Sequence, residues 1–242
     1  MRFTVELLLN ENTIPKDKNR IILSLLKNVI ESYDEEIYRD MYIDNKTKRK
    51  NMTFSIYMKN AKFLRDTIEI PDKRIILNIS SSDLELAITI YNSFMLSKNK
   101  EIKLKDGLII IPTKIQMKKK EIISDNYILV RTLSPICIRD HNGNNKDTWY
   151  YSLDETKGKE IFLRNLRYQL LEEFGETRKI DIDNLRFEVL ENKNIKIKYY
   201  DIVIPSNKAI LKLSGKPYLL EYMLDSGILN LKSSGFGMLE RL

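Results

Sequence analysis

Phe3, Val5, Leu7 and Leu9 fall on one face of an extended chain, with Thr4 and Glu6 opposite. A period of two predicts a half-buried strand, and alternation from the second residue argues for a strand rather than a signal peptide. The period changes over 17–31, where Ile21, Ile22, Leu25, Leu26, Val29 and Ile30 recur at helical spacing between Asp17 and Asp34-Glu35-Glu36. Residues 33–50 read as a tyrosine-rich, then basic loop. Met52, Phe54, Ile56 and Met58 alternate as a second strand, and 73–80 supplies a third. Ser82-x-x-Glu85 has the spacing of a capping box and opens a helix carrying Leu86, Ile90 and Phe94. Residues 107–118 form a fourth strand. The order β-α-β-β-α-β is that of the ferredoxin-like split βαβ unit.

The second half runs through the same order. Tyr127–Ile138 is an apolar strand. Residues 157–174 predict a helix with Leu163, Leu166, Leu170 and Phe174 inward, closed by Gly175. Leu185, Phe187 and Val189 alternate, as do Ile195, Ile197 and Tyr199, with Asn192-Lys193-Asn194 as the expected turn. Pro217 suits the first turn of a short helix and Gly227 its end. Residues 231–240 make the last strand. The pattern therefore predicts an α+β chain of two tandem ferredoxin-like domains, 1–122 and 123–242, without a residue-level repeat.

Composition narrows the chemistry. The 242 residues carry 41 Lys and Arg against 34 Asp and Glu, a net charge of +7. Such an excess favours a polyanionic partner. A single cysteine, Cys137, excludes an intrachain disulfide and a cysteine-based zinc site, and a single histidine, His141, excludes paired-histidine metal centres. No metal or other cofactor is expected. No apolar run approaches the ~18 residues of a membrane span, so a soluble cytoplasmic protein is expected.

Three of only 8 glycines lie in Gly227-Ile-Leu-Asn-Leu-Lys232-Ser233-Ser234-Gly235-Phe236-Gly237. Glycine permits positive φ and a close approach of phosphate to backbone amides, and Lys232, Ser233 and Ser234 add charge and donors. A cap glycine followed by a bend of small residues explains the same string. A basic tandem β-α-β-β-α-β chain ending in this string and in Gly-Phe-Gly-Met-Leu resembles the CRISPR-associated endoribonucleases, family six, of the RAMP superfamily. Thr53-Phe54-Ser55 is similar to that family's early strand motif, and Leu133-Ser134-Pro135 to the one opening its second domain.

The resemblance implies binding of CRISPR repeat RNA in antiviral defence and cleavage of the precursor transcript within each repeat. Subunits of a CRISPR interference complex are further partners it implies, and a non-catalytic RAMP-type RNA-binding subunit is the alternative. The implied chemistry is attack of the RNA 2′-hydroxyl on the adjacent phosphate, giving a 2′,3′-cyclic phosphate and a 5′-hydroxyl. Orientation and preorganised cations can carry much of that without a metal.

The family often places a catalytic histidine between the first helix and the Thr-Phe-Ser strand, and this chain has none there. Tyr42 stands near that place, followed by Lys46, Lys48, Arg49 and Lys50. A phenol of pKa ~10 is a poor base at neutral pH but can orient a hydroxyl. His141, beside Arg139 and Asp140, is the alternative proton carrier, since an imidazole of pKa ~6.5 suits acid–base work. The catalytic candidates are therefore His141, Tyr42 and Lys46. The RNA-contact candidates are Lys48, Arg49, Lys50, the run Lys118-Lys119-Lys120, Arg139 and the residues of the glycine-rich string. Lysine runs are also what any solvated surface shows, though phosphate neutralisation dominates nucleic-acid affinity.

Overall fold

The alternation of the first stretch becomes strand β1, Arg2–Leu9, with Phe3, Val5, Leu7 and Leu9 buried. The computed structural model of the chain describes residues 1–45, 48–141 and 148–242. Strand β2 (Thr13–Pro15) leads to helix α1 (Lys18–Tyr33), whose N-cap Asp17 accepts from the Arg20 amide. Ile22, Leu25, Leu26, Val29 and Ile30 form its buried stripe, the i, i+3, i+4 pattern of an amphipathic helix. The expected loop after it is largely helical. Asp34 caps a short helix α2 (Glu35–Arg39), which opens into a single wide π turn over Asp40–Asp44.

Strands β3 (Met52–Tyr57), β4 (Lys62–Phe63), β5 (Thr67–Glu69) and β6 (Arg74–Ser81) follow. Helix α3 (Leu84–Leu96) is capped by Asp83, whose carboxylate accepts from the Leu86 amide at 3.1 Å. The cap thus lies one residue beyond the expected Ser82, with the Asp83 carboxylate satisfying an amide of the first turn. Strands β7 (Ile102–Lys103) and β8 (Ile109–Met117) complete an antiparallel sheet of order β3-β6-β1-β8-β7. Strands β2, β5 and β4 form a small separate sheet.

The second half starts with β9 (Tyr127–Thr132), which ends where Leu133-Ser134-Pro135 turns the chain. The predicted single strand to Ile138 is therefore broken, since Pro135 offers no amide to a ladder. Its remainder, β10 (Ile138–His141), pairs with β11 (Thr148–Tyr151), so Trp149, Tyr150 and Tyr151 stand in a strand rather than a loop. Helix α4 (Thr156–Phe174) ends at Gly175, and a short α5 (Lys179–Asp183) follows. Strands β12 (Arg186–Tyr199) and β13 (Ile202–Ser214) form one long hairpin. The expected turn at Asn192-Lys193-Asn194 does not occur, because a register shift between Val189 and Glu191 absorbs the break in alternation and pairing continues to Tyr199. Helix α6 (Pro217–Ser226) ends at Gly227, and strand β14 spans only Leu239–Arg241, the expected strand before it being replaced by a single 3-10 turn over Lys232–Ser234 and loop. The sheet order β12-β13-β9-β14 repeats the spatial order of β3-β6-β1-β8. Both halves are ferredoxin-like, and the α+β tandem expectation holds.

Each sheet carries its own core. Phe3, Leu7, Leu25, Ile30, Ile90 and Phe94 belong to the first, and Val130, Phe162, Leu166, Leu170, Leu211 and Met223 to the second. Polar contacts join the halves. The Arg2 guanidinium donates to the carbonyls of Leu224, at 2.7 Å, and of Leu239. Ser80 Oγ donates to the Asp225 carbonyl at 2.7 Å.

Candidate functional site

The turn after α2 brings Tyr42 against the preceding helix. The Lys27 ammonium lies 5.2 Å from the centre of the Tyr42 ring and that of Lys50 lies 5.0 Å from it, while the Tyr38 ring centre is 5.6 Å away. Burial, with a smaller contribution from Tyr38, pushes the Tyr42 hydroxyl up to about 12. Tyr42 therefore keeps its proton at neutral pH and acts as a donor or orienting group, not as a base. Burial and then the Lys27 charge lower the Lys50 ammonium, against an opposing pull from Asp40. Its proton is correspondingly easier to transfer. Of these groups Lys50 lines a cleft of about 430 Å³, together with Lys48, Arg49 and the carboxylates of Glu36, Asp40, Asp83 and Glu85. Lys46 lies outside the described residues.

The glycine-rich string sits elsewhere than the sequence suggested. It is wedged between the halves, with Gly235, Phe236 and Gly237 buried. Thr53 Oγ1 donates to the Phe236 carbonyl at 2.8 Å, and Asn19 Nδ2 to the Ser234 carbonyl at 2.8 Å. The amides of Gly235 and Gly237 donate to the carbonyls of Lys232 and Pro135, so neither faces outward for a phosphate. A Cβ on Gly235 would meet the Phe54 ring at 2.5 Å, and one on Gly227 would meet Thr53 at 2.8 Å. All three glycines have positive φ. These glycines let the two halves pack closely here. Ser234 Oγ accepts from the Tyr199 hydroxyl at 2.8 Å, and Ser233 is half-buried beside it. Lys232 is only 2% exposed, and its ammonium faces Asn51 and Tyr222.

His141 stands exposed on β10, with Nδ1 3.2 Å from Thr148 Oγ1 and 3.3 Å from the Arg139 guanidinium. Among the described residues it makes no hydrogen bond with the Tyr42 cleft. The β10–β11 hairpin is fastened to α4, where Arg164 pairs with Asp140 at 2.8 Å and Asn165 donates to the Arg139 carbonyl at 2.7 Å. Trp149, on the same hairpin, is exposed. Lys118, Lys119 and Lys120 are exposed after β8, and Lys120 pairs with Glu221 at 3.6 Å. Sequence reasoning missed Lys27, Asn51, Glu173 and Tyr222. Each is an isolated polar residue in an ordinary helix or loop, and only the fold shows what it faces.

Among the described residues no cluster of three or more His, Cys, Asp and Glu could hold a metal ion, and no helix is long and apolar enough to cross a membrane. Residues 116–241 match the family model described as CRISPR associated protein Cas6, C-terminal. No curated protein matches the sequence significantly. Among solved structures, the product of a Cas6-related gene from Pyrococcus furiosus is similar over 100% of this chain and 98% of its own, with 22% identity and a TM-score of 0.81. A RAMP protein described as binding different RNA substrates is 23% identical, with a TM-score of 0.82 over 100% and 99% of the two chains. A Cas6 product complex is 13% identical, with a TM-score of 0.69 over 100% and 99%. At these identities the likeness speaks for the fold.

Proposed function

The chain belongs to the Cas6 family of CRISPR-associated proteins, and we propose that it binds CRISPR repeat RNA and cuts the precursor transcript within the repeat without a metal ion. The observation that carries the reading is the convergence of Lys27 and Lys50 on Tyr42, with Lys50, Lys48 and Arg49 lining the adjacent open cleft. RNA brings its own nucleophile. The bond from the 2′-oxygen to phosphorus forms, the bond to the 5′-oxygen breaks, and the former oxygen loses a proton while the latter gains one. The protonated Tyr42 hydroxyl orients the 2′-hydroxyl. The Lys50 ammonium steadies the dianionic phosphorane and gives the 5′-oxygen its proton, while the 2′-hydroxyl proton leaves to water and solvent reprotonates the Lys50 amine. Lys48 and Arg49 hold flanking phosphates, and Lys46, close in sequence, remains a catalytic candidate with them. Lys118, Lys119 and Arg139 extend the basic surface that the RNA follows.

A second reading rests on His141. Its imidazole is exposed beside Arg139 and Trp149, which suits an acid or base on RNA held along that hairpin. A third, binding without cutting, draws support from Tyr42, which burial makes unfit as a base. Incubation of the protein with a repeat hairpin in EDTA separates them. Products ending in 2′,3′-cyclic phosphate and 5′-hydroxyl support the metal-free 2′-hydroxyl route. Tight binding without products supports the RNA-binding subunit, and strict Mg²⁺ dependence with 5′-phosphate ends refutes the route.

A further inference from the structure

The buried Lys232 ammonium has a use that its position makes specific. It donates to Asn51 Oδ1 at 2.9 Å and to the Tyr222 hydroxyl at 3.4 Å, and lies 5.4 Å from the centre of the Tyr222 ring. Asn51 Nδ2 donates in turn to Glu173 of α4 at 2.6 Å, and the Tyr222 hydroxyl of α6 donates to Asn51 Oδ1 at 3.1 Å. The Asn51 carbonyl accepts from Ser81 Oγ at 2.7 Å and from the Ser82 amide at 3.1 Å. Asn51 is thus held on every polar atom of its side chain by the second half of the molecule and at its carbonyl by the first. It directly follows Arg49, which pairs with Glu172, and Lys50, which meets Tyr42.

We infer that Lys232 is a positioning residue that fixes the Arg49–Asn51 segment for RNA, and that RNA binding on that segment is coupled to proton uptake at the Lys232 ammonium. This rests on the RNA-binding reading above. The charged groups facing Lys232 are Arg49, from the segment itself, and Glu172 and Glu173 of α4. Burial first, then Arg49, brings its ammonium down to about 7, while Glu173 and Glu172 pull the other way. Near neutral pH it is divided between charged and neutral forms. A phosphate docked on Arg49 and Lys50 cancels the local positive charge and adds negative charge, which favours the charged, better-donating form. By linkage, affinity for RNA then falls as pH rises above about 7, approaching tenfold per pH unit.

The test is binding of a repeat-RNA hairpin by the full chain from pH 6 to 9, with calorimetry in buffers of different ionisation enthalpy to count protons. The parent chain is expected to take up protons on binding and to lose affinity above pH 7. Lys232→Met, which replaces a costly buried charge by an apolar side chain of similar length, is expected to bind at every pH as the parent does at pH 9. Glu173→Gln removes a carboxylate that keeps the ammonium charged, so its fall in affinity moves to lower pH. Lys18, which burial lowers to about 8, titrates in every variant and cancels in the comparison. Parent binding without proton uptake, or a full pH slope in Lys232→Met, overturns the inference alone. No RNA binding by the parent overturns the functional reading and this inference together.

Discussion

Substituting Gly237 by alanine separates a glycine needed for packing from one needed for a ligand. The residue sits at φ +67°, and an added Cβ would lie 2.1 Å from the Ile228 carbonyl oxygen, an atom of the backbone that cannot swing aside. The left-handed conformation costs an L-residue about 1 kcal/mol. Forcing the Ile228 segment away costs ~2 kcal/mol, in the range of core overpacking. That displacement also breaks the bond from the Ile228 amide to the Gly237 carbonyl, 3.0 Å, and strains the one from the Gly237 amide to Pro135, 2.8 Å. At ~1 kcal/mol each, the total loss is about 5 kcal/mol. Against the 5–15 kcal/mol that holds a typical protein this is severe, and at ~2–4 °C per kcal/mol it lowers the melting midpoint by about 10–20 °C. Gly175 supplies the control. Its φ is +73° but no atom lies within 4 Å of its would-be Cβ, so Gly175→Ala pays only the backbone cost. Circular-dichroism melts of the two variants test the reasoning. A Gly237→Ala protein melting within a few degrees of Gly175→Ala refutes it, and RNA binding lost at an unchanged midpoint restores the loop as a direct phosphate contact.

Tyr42→Phe is expected to slow repeat cleavage by ~10²–10⁴ with little change in RNA affinity, Lys50→Ala to slow it as much and to weaken binding as well, and His141→Ala to be nearly silent; single-turnover rates decide, and the reverse pattern moves catalysis to the β10–β11 hairpin. Raising salt is expected to weaken RNA binding with a linear slope of log affinity on log salt, and replacing both Lys48 and Arg49 by alanine should flatten that slope by ~1–2; an unchanged slope in a filter-binding titration removes these residues from the phosphate path.

Much of the fold was legible because its determinants are local. Alternation in β1 and the helical stripe of α1 reflect which face meets a core, and a period can be counted along a sequence. Where the reading failed, a longer-range contact decided. Asn192-Lys193-Asn194 has turn composition, yet β13 supplies partners all along β12, and a register shift costs less than abandoning the ladder. Ser134-Pro135 ends β9 because the chain there receives Met238: the Ser134 hydroxyl accepts from the Met238 amide at 2.9 Å. The candidate site divided in the same way. Tyr42 was singled out by its place relative to the histidine of the family that the chain resembles, and Lys50 by the basic run it belongs to, and Lys27 of α1 does meet Tyr42. Lys232 was offered as a charge for RNA, and its burial was not legible, because no local pattern distinguishes a lysine that reaches water from one that ends under Asn51.

The join between the halves therefore bears on the chemistry as well as on stability. The first half holds Tyr42, Lys27 and Lys50, but the chain that carries Lys50 is anchored at the next residue, Asn51. Asn51 is held by Lys232, Glu173 and Tyr222, all from the second half. Phosphoryl chemistry that depends on in-line attack loses rate steeply with small misplacement of its charged groups. A change that loosens the contact of Gly235 with Phe54, far from any reacting atom, shifts the loop that carries Lys232 and through it the Arg49–Asn51 segment. Cleavage should consequently fall before the cores of either half melt. If the proposed cleavage holds, the glycines that the sequence offered as a phosphate cradle act on the RNA at one remove, by keeping the two halves close enough for one to position the other's cations.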